Sequence, residues 1–242
     1  MARRLFLTAR WENLVLLNYS VDASLLLPLV PKGTELDDWN GHHLISLVGF
    51  RFRETRVLGF PIPGHADFDE VNLRFYVRRN LPDGSSRRAV VFIRELVPRW
   101  AIATVARLAY NEPYLAVPMT HDVAISPETG GRLTYSWRFQ NQDYSLGAQV
   151  DGPPARAEPG SQAEFVTEHY WGYTRQKDGR TLEYEVEHPR WRIWAPRTAA
   201  FTGPSETLYG SEFAPALAAP PVSAFVAEGS PVAVYKGVLL PD

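Results

Sequence analysis

The sequence predicts an α+β protein dominated by antiparallel β-strands, a curved sheet or barrel with two or three inserted helices. About ten stretches of the 242-residue chain read as strands, several of them with the period-two alternation that sends successive side chains to opposite sheet faces. Turn-forming clusters separate many of them: Asn40-Gly41, Asn80 to Ser86, Pro127 to Gly131 and Lys177-Asp178-Gly179. Helical signals are few. The stretch Gly152 to Gly160 is the one plausible internal boundary, and too few helices follow it to build a second core, so a single domain over residues 1–242 is expected.

Taken in order, Trp11 to Tyr19 reads as a buried strand, and Asp22 can cap a short helix containing Leu25, Leu26, Leu27 and Leu29. His42 to Val57 is a long strand in which Phe50 and Phe52 alternate with Arg51 and Arg53. Gly59 to Gly64 is a loop held extended by its prolines, placed to form a rim beside the next strand, Asp67 to Val77. Arg88 to Val97 returns as a strand. Pro98 suits the first position of a helix running to Tyr110, and Pro113 bounds it. Strands follow at Leu115 to Ile125, Arg132 to Gln140 and Tyr144 to Val150. Ser161 and Glu164 have capping-box spacing, predicting a helix from Gln162 to about Tyr170. Thr181 to His188 is a strand, the chain is loop-rich from the Trp191 and Trp194 region through Pro221, and Val232 to Leu240 is the closing strand.

Composition excludes several function classes. The net charge of -2 leaves no basic excess to hold nucleic-acid phosphates. There is no cysteine, hence no disulfide, thiolate nucleophile or cysteine-based metal site. No run reaches the roughly 18 apolar residues of a membrane helix, and the apolar run at the N-terminus is too short for a signal-peptide core. A cytoplasmic protein with no membrane partner is expected, with homo-oligomerisation left open. No cofactor is expected. His42 and His43 are adjacent on extended chain and face opposite ways, and no H-E-x-x-H spacing occurs, so no metal site is expected either.

The strand D-F-D-E-V-N-L-R-F-Y-V at Asp67 carries the candidate site. Val71, Leu73, Phe75 and Val77 form an apolar face, while Phe68, Glu70, Asn72, Arg74 and Tyr76 share the other. Residues two apart on one face lie roughly 6.6 Å apart, close enough to converge on one small ligand. Glu70 can serve as a general acid or base if burial raises its pKa, or it can form a structural ion pair with Arg74 or Arg53. Arg74 has the two-pronged geometry that holds a carboxylate, with Asn72 and Tyr76 as orienting partners, Phe68 as an aromatic bound to the row and Arg53 as a second candidate ligand-binding cation. His188, in E-H-P-R-W, is either a catalytic or ligand-binding histidine or one packed against an indole.

The chain resembles the YqjF-like, or DUF2071, family. The resemblance is carried by W-E-N-L at Trp11, V-D-A-S-L-L-L-P-L-V-P at Val21, F-R-F-R-E-T-R at Phe50 and P-G-H-A-D-F-D-E-V-N-L-R-F-Y-V at Pro63. It continues in A-R-L-A-Y-N-E-P-Y at Ala106, F-V-T-E-H-Y at Phe165 and H-P-R-W at His188. Such proteins are similar in fold to acetoacetate decarboxylase, which implies a β-barrel-like core around a central pocket with the polar row facing it. Within the resemblance, Glu70 matches a pocket glutamate of the decarboxylase, and the helix end at Ala109 to Pro113 matches the place of its paired lysines. Here that place holds Asn111 and Glu112. Only three lysines exist, Lys32, Lys177 and Lys236, and two of them lie in turns. Three readings stay open: a pocket binding a small, anionic or neutral organic molecule without Schiff-base chemistry, an enzyme using Glu70 with Arg74, and a scaffold with a filled interior.

Overall fold

The computed structural model describes residues 3–98 and 111–241, so the helix expected from Arg99 to Tyr110 lies outside the described residues. In chain order the strands begin with β1 (Leu5–Val21), β2 (Glu35–Leu36), β3 (His43–Val57), β4 (Phe60–Pro61), β5 (Phe68–Asn80) and β6 (Ser86–Val97). Next come β7 (Tyr114–Ala116), β8 (Met119–Ser126), β9 (Gly130–Phe139), β10 (Gln142–Asp151), β11 (Ala155–Arg156) and β12 (Trp171–Arg175). The last are β13 (Thr181–Glu187), β14 (Arg192–Trp194), β15 (Thr198–Thr202), β16 (Ser223–Tyr235) and β17 (Val238–Leu239). Short helices cover Ala23–Leu26, Gln162–Thr167, Ser205–Tyr209 and Ala214–Ala218. The mostly antiparallel α+β class expected from the sequence holds.

Seven strands close on one another in the order β16-β1-β3-β5-β6-β12-β13 and back to β16. Only β12 against β6 is parallel within this ring. A separate four-stranded sheet, β15-β10-β9-β8, lies outside it. The ring's outer face supplies Val15, Leu17, Leu47, Val71, Leu73 and Phe75, which form one buried core with Leu133, Tyr135, Tyr144 and Leu146 of the second sheet. Sheet stacked on sheet is thus the main core, and the inner side of the ring is left for the site.

Local chemistry explains the bends this closure needs. Asn13 adopts φ 58°, and the β1–β3 register shifts between Glu12 and Val15. Opposite it on β16, Gly229 has φ 85°, and a Cβ there would lie 1.9 Å from the Trp11 carbonyl oxygen, so only glycine fits. Bulges of this kind increase twist and re-aim side chains, here turning Trp11 toward the ring interior.

Several local expectations hold: Asp22 accepts from the Ser24 amide at the first helix, and Ser161 Oγ accepts from the Glu164 amide at 3.2 Å. The expected strand Leu115 to Ile125 is corrected. Val117 and Pro118 break it into β7, which joins the ring beside β6, and β8, which joins the second sheet. Proline cannot donate to a ladder, so the chain changes sheets there. The expected loop from Trp194 to Pro221 holds β15 and two helices, and the closing strand begins at Ser223 rather than Val232.

Candidate functional site

The ring encloses a cavity of about 190 Å³. Much of its wall is apolar and aromatic: Trp11, Phe50, Phe52, Phe68 and Trp191 gather on one side, and Phe52 stacks on Phe68 at 4.5 Å. Ile62 and His65, from the proline-rich segment after β4, reach the same space, so that segment forms the rim its position suggested.

The polar wall comes from three neighbouring strands and the segment leading into β7. Register places Phe50 of β3 opposite Glu70 of β5, and Asn72 opposite Glu95 of β6. β7 runs parallel to β6 and sets Tyr114 beside Glu95, with Glu112 two residues earlier. Asn72 Nδ2 donates to Glu70 Oε1 at 2.9 Å, and the Tyr114 hydroxyl donates to Glu70 Oε2 at 3.3 Å. Glu112 Oε1 accepts from Tyr184 at 2.6 Å and from Thr174 at 2.9 Å. Glu70, Glu95 and Glu112 are all buried, three carboxyl groups around one small space.

Burial and like charge raise the pKa of two of these carboxyl groups, Glu70 and Glu95. Desolvation, with the neighbouring Glu112 charge adding to it, pushes the Glu70 carboxyl up to about 7. Glu95 is held well above the usual carboxylate range by desolvation, by Glu112 and by a hydrogen bond shared with it. Tyr114 is pushed well up by burial and by the same carboxylates, so it stays a donor. Not every polar group is satisfied: Asn72 Oδ1, Glu95 Oε2 and Arg74 Nε have no hydrogen-bond partner among the described residues. Arg74 is anchored by Nη2, which donates to the Val166 carbonyl at 3.0 Å.

Of the residues singled out from sequence, the structure brings Phe68, Glu70, Asn72, Arg74 and His188 to one cavity. His188 stacks on Trp191 at 4.2 Å, and burial lowers its pKa. Tyr76 shares the inner face but lies outside the cavity, fully buried, its hydroxyl bonded to Ser46 and its ring against Phe165 and His169. Arg53 is corrected: it projects from the opposite face of β3 and pairs with Asp67 at 3.1 Å at the surface. Among the described residues Glu70 has no salt bridge to Arg74 or Arg53, so the structural ion pair considered for it does not form. All three lysines are exposed, and none lines the cavity.

Sequence reading missed Glu95, Tyr114, Tyr184 and His169. Glu95 was hidden by a bulge. Val90 and Phe92 point inward, and strict alternation would continue with Arg94. The β5–β6 register shifts between Leu73 and Arg74, so Glu95 faces Asn72 instead. His169 is buried beside Tyr76, with Asp37 at 3.9 Å, and desolvation lowers it to about 4.

The closed strand ring with an inner pocket, backed by a second sheet, is an acetoacetate decarboxylase-like fold, as its match to solved structures shows. An acetoacetate decarboxylase-like enzyme from Sphingomonas wittichii RW1 matches with a TM-score of 0.68 at 13% identity, covering 98% of this chain and 94% of that one. Acetoacetate decarboxylase from Legionella pneumophila matches at 0.67 and 13%, covering 100% and 90%. The enduracididine biosynthesis enzyme MppR complexed with pyruvate matches at 0.66 and 14%, covering 100% and 93%. Within that fold the chain belongs to the DUF2071 family of uncharacterized conserved proteins, whose pattern it matches over residues 8–231. It is 29% identical over 189 residues to the uncharacterized protein YqjF of Bacillus subtilis (strain 168), spanning 76% of this chain and 73% of that one.

Proposed function

We propose that this protein binds a small organic molecule inside the strand ring without forming a Schiff base, and that Arg74 orients a carboxylate or carbonyl end of it. The observation that carries this reading is the enclosed cavity whose wall holds buried polar atoms without partners, Asn72 Oδ1 and Arg74 Nε among them. Unpaired buried polar groups cost stability, and a bound ligand that satisfies them offsets that cost. The cavity volume of about 190 Å³ suits a small organic molecule. Arg74 is the one lysine or arginine among the described residues on its wall. A Schiff base needs a neutral lysine amine in the pocket, and all three lysines of the chain lie at the surface. The structurally similar enzyme MppR has been solved with pyruvate bound, which makes small carboxylates the first probes.

Titration of the wild type and Arg74→Ala with pyruvate and 3-phenylpropionate, read by fluorescence of the cavity tryptophans, tests the reading. Saturable binding weakened at least about tenfold in Arg74→Ala is expected. Indistinguishable curves for the two proteins exclude the assigned role of Arg74. A stoichiometric adduct after borohydride treatment excludes the absence of a Schiff base.

A second reading is favoured by Glu70. A carboxyl group held at about 7 in a cavity wall is matched to proton transfer near neutral pH. In that case Glu70 exchanges a proton with the bound molecule, while Asn72 and Tyr114 fix its orientation. Loss of turnover in Glu70→Gln with binding retained supports it. Loss of binding and turnover together removes it.

A further inference from the structure

We propose that the carboxyl end of this cavity is a subsite for a protonated amine. The inference rests on the small-molecule reading and specifies the opposite end of the ligand from Arg74.

The polar wall is graded. Along β5, Arg74 stands two positions beyond Asn72 and four beyond Glu70, and Glu95 and Glu112 join the Glu70 end. Within the carboxyl cluster itself the side-chain atoms still lacking partners are oxygens, while on the adjoining aromatic wall the Trp11 Nε1 donor is also unpartnered. Asn72 and Glu95 are paired across β5 and β6 with both side chains buried, and Asn72 Oδ1 and Glu95 Oε2 have no hydrogen-bond partner among the described residues. The donors close by are already engaged: Tyr114 between Glu70 and Glu95, Asn72 Nδ2 on Glu70, and Tyr184 and Thr174 on Glu112. A ligand that completes this end therefore brings donors.

An ammonium group brings three donors and a positive charge. Three buried carboxyl groups in one small space are tolerated only while protons or a cation hold down their mutual repulsion. A metal ion is the other cation to consider, but no group of three ligating side chains among the described residues is arranged to hold one. The aromatic wall favours an organic cation as well. Phe50 lies directly across the β3–β5 pair from Glu70, with Trp11 in edge contact with Phe50 at 5.2 Å and Phe52 stacked on Phe68. Aromatic faces beside carboxylates suit an ammonium on an apolar body. Binding of the ammonium displaces a proton from the cluster, which leaves to the buffer.

The test uses three matched probes: 2-phenylethylamine, 2-phenylethanol and 3-phenylpropionate, titrated at pH 7 by tryptophan fluorescence and calorimetry. The amine is expected to bind at least about tenfold tighter than the alcohol. Glu95→Gln and Glu112→Gln should each bring the ratio of amine to alcohol affinity down to about one, with thermal unfolding showing that each variant is folded. Calorimetry in buffers of different ionisation enthalpy should show proton release with the amine and none with the alcohol. An amine no tighter than the alcohol, or a preference that survives both substitutions, overturns the inference. If 3-phenylpropionate binds and the amine does not, the amine subsite is wrong while the small-molecule reading stands. If none of the three binds, both fall.

Discussion

On the outer side of β5, Val71, Leu73, Phe75 and Val77 lie buried beneath the four-stranded sheet; on its inner side Phe68, Glu70, Asn72 and Arg74 face the cavity. The two faces belong to one strand and differ by one residue in phase. The outer face is close-packed carbon, and its burial stabilises the fold with no polar group to satisfy. The inner face keeps a void and buried carboxyl groups, each unfavourable to folding. One face holds the protein together, and the other is held in place by it.

Substitutions on the two faces should therefore differ in size and in pH dependence. The largest effect is expected outside. Phe75→Ala opens a cavity in the inter-sheet core and should cost about 3–5 kcal/mol in urea unfolding. Phe52→Ala on the cavity wall should cost clearly less, because it enlarges space already present; equal costs would erase the distinction between the faces.

Next in size is Glu70→Gln. Its carboxyl stays protonated in the fold up to about 7 against an ordinary 4.5, so the native state keeps a proton that the unfolded chain releases. That contribution to stability is present at low pH and is lost as pH rises from about 4.5 to 7. The variant should therefore gain on the wild type between pH 4 and pH 8 by on the order of 3 kcal/mol. A constant difference across that range would mean that Glu70 is not desolvated.

Smaller again is Gly172→Ala. A Cβ at Gly172 would lie 2.1 Å from the Tyr184 ring, whose hydroxyl donates to Glu112. It should cost about 1–3 kcal/mol and disturb ligand affinity as well. The smallest effect is expected at the surface: Arg132→Ala removes an exposed pair with Asp122 and should change stability by less than about 0.5 kcal/mol.

How much of this was legible in sequence follows from the same geometry. The alternation of Val71, Leu73 and Phe75 against Glu70, Asn72 and Arg74 identified both faces of β5, because the strand is regular through those positions. Alternation failed where regularity does. One bulge in β6 moved Glu95 inward, and Pro118 divided a strand between two sheets. Tyr76 kept its phase but sits beyond the cavity, since period two gives direction and not depth. Tyr184 and His169 reach the site only through ring closure by β12 and β13, a long-range pairing that local pattern does not encode.

The most direct test of the account is the titration of the Glu70 carboxyl carbon by NMR of the glutamate-labelled protein, assigned with Glu70→Gln. A midpoint near 7, displaced when 3-phenylpropionate or 2-phenylethylamine is added, is the expected result. A midpoint in the ordinary range near 4.5, unmoved by either compound, would contradict a desolvated, ligand-accessible carboxyl wall.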